Sequence, residues 1–176
     1  MTTVRISLLE LNRLSMSRFV EVLKDVFEHS SWVAEQAVFA RPFQDIEDLH
    51  VAMVKAVQHA DQADQLKLIR ARPQLAGGNV VRDEPGDYSA REQVGAGLED
   101  CTSEELETLT ALNEAYNKKF GFPFVLAVNG LSREQIIQQL THRLDLGADQ
   151  ERQQCLTEIY KIARFRLDEL IHPVNG

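Results

Sequence analysis

Residues 120–130 read FGFPFVLAVNG: three phenylalanines (Phe120, Phe122, Phe124) and two valines gathered around Pro123 and bracketed by Gly121 and Gly130. Aromatic and β-branched side chains at this density suit an extended backbone. No other segment of the chain has that rhythm, and one strand makes no sheet. The segment is therefore read as a buried extended connection, so the fold class is decided by what surrounds it. Such a connection carries backbone N–H and C=O groups that no ladder satisfies, and either side chains or a ligand must pair with them.

What surrounds it is helical. SRFVEVLKDVF, from Ser17, sets Phe19, Val22, Leu23, Val26 and Phe27 on one stripe at three- and four-residue spacing. SSWVAEQAVFARPF follows, with Trp32 and Ala37 ahead of the breaker Pro42, and DIEDLHVAMVKAV repeats the stripe through Ile46, Leu49, Met53 and Val57 behind an Asp45 cap. A shorter helix through Leu66 and Ile69 must end near Pro73. CTSEELETLTALNEAYNKKFG carries Leu106, Leu109, Leu112 and Tyr116 before Gly121 supplies a stop. SREQIIQQLTHRL opens with a capping box of Ser132 and Gln135, and a long last helix carries Leu156, Ile159, Ile162, Leu167 and Leu170 up to Pro173. With a further helix opening at Ser89, the pattern predicts an all-α fold of about eight helices, without internal repeats, in a single compact domain over residues 1–176.

Composition narrows the function classes. Apolar residues at 44% and charged residues at 26% match a soluble globular chain and exclude a disordered or fibrous one. A net charge of −8 disfavours a nucleic-acid partner. The start, MTTVRISLLELNRL, has no apolar signal core, and no run of 18 apolar residues occurs, so a cytoplasmic protein with no membrane partner is expected. Cys101 and Cys155 lack a CxxC spacing and read as reduced thiols. His29, His50, His59, His142 and His172 have no metal-site spacing, so no metal is expected.

One stretch runs against the acidic whole. LIRARPQLAGG, residues 68–78, opens a region from Lys67 to Arg91 whose five basic and three acidic residues give a local +2. A patch that small fits a small anion better than a polymer. Its AGG lacks the Walker spacing and lysine of a phosphate loop. After a loop at 76–88 comes SAREQ, in which Ser89 and Glu92 have the spacing of a capping box. The same helix start could hold a polar, anionic heterocycle, because its N–H groups lie beside Ser89, Glu92 and Gln93. Arg164 and Arg166, late in the last helix, suit the helix dipole and are also available to an anion.

Taken together, LNRLSMSRFVEVLKDVFEHSSWVAEQAVFARPF, LIRARPQLAG, SAREQVGAGL, LNEAYNKKFGFPFVLAV and IYKIARFRLDEL fall in the order and spacing of one family. Over residues 11–170 the chain resembles the 2-oxo-4-hydroxy-4-carboxy-5-ureidoimidazoline decarboxylases, which form (S)-allantoin in urate degradation. The resemblance implies an all-helical homodimer that needs neither metal nor organic cofactor and takes a small ureido-imidazoline substrate. It implies catalytic roles for position 72 and for Glu92. It also implies substrate contacts at Pro73, along Ser89, Ala90, Arg91, Glu92 and Gln93, along the backbone of Phe124, Val125, Leu126, Ala127 and Val128, and at Arg166.

This sequence departs from the family at one decisive place. Arg72 stands directly before Pro73, where the family carries its acid/base histidine. A guanidinium stays protonated at every working pH and has no acceptor, so it supplies charge and cannot shuttle a proton. The expectation is a decarboxylase impaired at Arg72; the alternative is a ureide-binding pseudoenzyme with the same pocket. Leu146, in RLDLG, is a smaller departure, standing where a polar Asn is expected, with its effect on local helix capping.

Overall fold

The computed structural model describes residues 5–27, 29–72, 102–128 and 130–172. Among them, eight α-helices follow one another: α1 (Leu8–Arg13), α2 (Met16–Leu23), α3 (Trp32–Ala37), α4 (Ile46–Gln58), α5 (Gln62–Arg70), α6 (Ser103–Phe120), α7 (Arg133–Arg143) and α8 (Ala148–Leu170). The all-α expectation holds. The 76–88 loop, the helix expected from Ser89 and Cys101 lie outside the described residues. Contacts group the chain into two units, Met1–Leu68 with Tyr160–Gly176, and Ile69–Ile159.

In the first unit, a parallel pair of two-residue strands, β1 (Ile6–Ser7) and β2 (Ile171–His172), sets Ile6 opposite Ile171. Ser7 then caps α1 by accepting the Glu10 N–H at 3.1 Å. Arg41 closes the other end of α1, its Nη1 donating to the Leu14 carbonyl at 2.6 Å while its guanidinium lies over the Phe19 ring. Asn12 and Phe43 exchange two hydrogen bonds, side-chain N–H to carbonyl at 2.9 Å and backbone N–H to Oδ1 at 2.8 Å. These ties lock the α1 end to the cis-Pro42 connection. The core here includes Leu8, Leu11, Phe19, Leu23, Leu49, Met53, Val57, Ile162 and Leu167, and the Asp45 cap is present, accepting from Asp48 N–H at 2.7 Å.

Two helix readings are corrected. Val26 and Phe27 are buried as their spacing demands, yet α2 stops at Leu23. Beyond it the chain tightens into i→i+3 turns (Val26 N–H to Leu23 carbonyl, Ser30 N–H to Phe27 carbonyl). The Asp25 and Val26 carbonyls, which a continuing helix would use itself, accept from Arg166 Nη1 at 3.3 and 3.1 Å. In α6, Leu106 is 39% exposed, and the inward stripe is instead Leu109, Asn113 and Tyr116. The stretch preceding α2 also holds a helix, α1, that its short six-residue pattern does not announce.

The second unit contains α6, α7 and the part of α8 up to Ile159. Both leading helices open on complete capping boxes, Thr102 with Glu105 and Ser132 with Gln135. The Glu105 carboxyl is held below its ordinary pKa, first by the Thr102 backbone N–H it accepts. Ser132→Ala is expected to lower unfolding stability by about 1 kcal/mol in urea titration, because Gln135 N–H then loses its acceptor.

Candidate active site

The segment that follows α6 is a buried connection between helices, as its sequence predicts. Gly121 ends α6 in the left-handed region at φ 79°, donating its N–H to the Asn117 carbonyl at 2.8 Å. Phe122, Phe124, Val125 and Val128 are then all at most 4% exposed, without regular secondary structure. Side chains supply partners for the backbone. Arg143 Nη1 donates to the Val125 carbonyl at 2.5 Å, and Glu158 Oε1 accepts the Ala127 N–H at 3.2 Å.

Arg143 belongs to a polar cluster inside this unit. Its Nε donates to Glu151 Oε1 at 2.8 Å, and the same oxygen accepts the Tyr116 hydroxyl at 2.6 Å. Arg143 Nη2 and the Tyr116 hydroxyl also approach Cys155 Sγ, at 3.3 and 3.4 Å. Arg143 and Glu151 are 3% and 0% exposed, so each charge depends on the other in a medium that does not hydrate it. The guanidinium lies 4.5 Å from the Phe124 ring centroid, and Tyr116 packs edge-on against Phe122 and Phe124. Burial, followed by the neighbouring Cys155, pushes the Tyr116 phenol far above its ordinary pKa, so it remains a donor to Glu151. Burial likewise pushes the Cys155 thiol up, which makes it a packing group rather than a nucleophile.

The basic turn meets this segment at its base. α5 ends at Arg70, and a tight turn follows, in which Arg72 N–H donates to the Ile69 carbonyl at 3.1 Å. Arg70 Nε donates to the carbonyl of Gly121 at 3.2 Å, immediately before Phe122. The turn carrying Arg72 and the segment carrying Phe124–Val128 are thereby joined by a hydrogen bond. Arg72 itself is half-buried, with its Nε shielded from solvent. Arg166, in the first unit, is 1% exposed and donates to the Asp25 and Val26 carbonyls. Arg164, on the same helix, pairs with Asp168 at 3.1 Å and with Glu47. Pro73, Ser89, Ala90, Arg91, Glu92 and Gln93 lie outside the described residues. Leu146 sits in the turn between α7 and α8, its N–H donating to the Arg143 carbonyl at 3.2 Å.

Sequence reasoning missed Tyr116's polar role, Arg143, Glu151 and Glu158. The available signal was a pair of carboxylates, Glu151 and Glu158, in register with Cys155 and Ile162 on the buried stripe of α8. A charge placed on an apolar stripe needs an internal partner. Among the described residues, no group of three or more His, Cys, Asp or Glu side chains is placed to hold a metal ion.

Comparison with known proteins agrees with this architecture. A family model described as OHCU decarboxylase matches residues 12–168. The 2-oxo-4-hydroxy-4-carboxy-5-ureidoimidazoline decarboxylase of Halalkalicoccus jeotgali is 40% identical over 98% of this chain and 96% of its own length. The uric acid degradation bifunctional protein PucL of Bacillus subtilis is 43% identical over 92% of this chain, which spans only 32% of that protein. A crystal structure of (S)-allantoin synthase superposes with a TM-score of 0.73 at 26% identity, covering 94% of this chain and 54% of that one. With a family match over nearly its whole length, and a relative of almost equal length at 40% identity, the chain belongs to the OHCU decarboxylase family.

Proposed function

We propose that this chain decarboxylates 2-oxo-4-hydroxy-4-carboxy-5-ureidoimidazoline to (S)-allantoin, at a rate held down by Arg72. The observation that carries the reading is the family match over residues 12–168. In the reaction the bond to the carboxyl carbon breaks, and CO2 leaves its electron pair in the ring. A proton then adds to ring carbon on one face. Oriented hydrogen-bond donors in a dry pocket stabilise the charge that develops. In this reading Arg166 grips an anionic group of the substrate, Ser89, Glu92 and Gln93 read its polar edge, and the Phe124–Val128 backbone contacts the imidazoline ring beside Pro73, Ala90 and Arg91. Glu92 is the carboxylate nearest in role to the missing acid/base.

The same likeness supports one domain over residues 1–176, a homodimer, a cytoplasmic setting and a reaction without a cofactor. No described helix is long and apolar enough to cross a membrane. The test is (S)-allantoin formation followed by circular dichroism with freshly generated substrate. A rate above spontaneous decay, with one enantiomer in excess, is expected; a rate equal to spontaneous decay sinks the reading. Arg72 favours a second reading, a ureide-binding protein without turnover, since a fixed cation holds a carboxylate but cannot protonate carbon. Calorimetry showing saturable (S)-allantoin binding in a chain with no turnover is its signature.

A further inference from the structure

We propose that Glu158 is a positioning residue that sets which edge of the Phe124–Val128 backbone faces the ligand; this rests on reading that segment as part of the substrate site. Glu158 lies on α8, three residues beyond Cys155, and is 3% exposed. One carboxylate oxygen accepts the Ala127 N–H at 3.2 Å and the other accepts Gln154 Nε2 at 3.1 Å, which fixes the plane of the carboxylate. Arg143 Nη1 holds the Val125 carbonyl, two residues earlier.

Neighbouring side chains meet the segment at alternate residues, Cys155 Sγ at the Pro123 carbonyl at 4.0 Å, Arg143 at Val125 and Glu158 at Ala127. This is the alternation of an extended chain, where the polar groups of residues i and i+2 point the same way and those of residue i+1 the opposite way. Arg143 and Glu158 therefore grip the same edge of the segment, at Val125 and Ala127. One anchor donates and the other accepts, so each matches only the group it holds. The opposite edge, with the N–H and C=O of Leu126, is left to the ligand side. Slippage by one residue would turn that donor and acceptor away. Glu158 thus acts on the substrate through Ala127, without touching it.

The test combines amide hydrogen exchange at Ala127 with calorimetric (S)-allantoin binding and steady-state kinetics on the full chain. Glu158→Ala is expected to speed Ala127 exchange and weaken allantoin binding about tenfold, raising KM more than it lowers kcat. Glu158→Gln keeps an acceptor on a side chain of the same length and should return affinity to within about threefold of the original. If Glu158→Ala does not fold, Glu158→Asp withdraws the carboxylate by one methylene and carries the affinity test. Unchanged affinity in a folded Ala or Asp variant overturns the positioning role, whatever the exchange rate. An original chain that neither binds allantoin nor forms it is a separate failure, that of the decarboxylase reading, and it removes the positioning role too.

Discussion

Arg72→His is expected to raise the rate of (S)-allantoin formation by about 10²- to 10⁴-fold, the usual contribution of a positioned acid/base. An imidazole of ordinary pKa, near about 6.5, exists in both forms around neutrality, so it can give and take a proton within one turnover. The guanidinium at this position cannot. The exchange leaves the Arg72 N–H bond to Ile69 untouched, so the turn keeps its backbone closure. The gain should appear in kcat, and the variant's pH–rate profile should acquire a limb in the histidine range that the original lacks. Arg72→Gln is the control and should gain nothing. An increase below about threefold with no new limb would falsify the assignment of position 72 to proton transfer.

The largest expected loss of stability lies in the Arg143–Glu151 cluster. Glu151→Ala leaves Arg143 buried without its 2.8 Å partner and removes the acceptor of the Tyr116 hydroxyl. Breaking one side of a buried pair costs about 3–5 kcal/mol. For a chain of this length that corresponds to a fall in Tm of roughly 10–15 °C. Replacing both partners by apolar residues, Arg143→Met with Glu151→Leu, should recover much of the loss, because no stranded charge remains. Activity should not recover with stability, since the Val125 carbonyl still lacks its donor. A single-variant loss below about 1 kcal/mol would mean that water reaches the cluster and the pair contributes little.

Much of the fold was legible because it is written locally. The Asp45 cap, the Ser132–Gln135 box and the Gly121 stop each depend on a few adjacent residues, and each stands where its sequence signal lies. The buried connection after Gly121 was legible for the same reason. What escaped was set by partners distant in sequence. α2 ends early while Arg166, more than 140 positions later, takes the Asp25 and Val26 carbonyls. The inward role of Glu151 becomes intelligible only once Arg143 and Tyr116 are seen to converge on one of its oxygens. For the candidate site, Arg72 and Phe124–Val128 could be named from motif resemblance. The side chains that hold that backbone in place could not be assigned that role: Glu158 stands out as a carboxylate on the buried stripe of α8, but nothing local names Ala127 as its partner, and Arg143 lies on a helix whose pattern looks ordinary.

The short parallel pairing of β1 with β2 bears on architecture at a larger scale. Ile6 and Ile171 face each other across a single inter-strand spacing, about 4.8 Å, so two points near opposite ends of the first unit's sequence are neighbours in space. Because the pairing is parallel, the chain enters this ladder at the Ile6 end of β1 and leaves it at the His172 end of β2, so a circular permutant joined here needs a crossover linker rather than a tight turn.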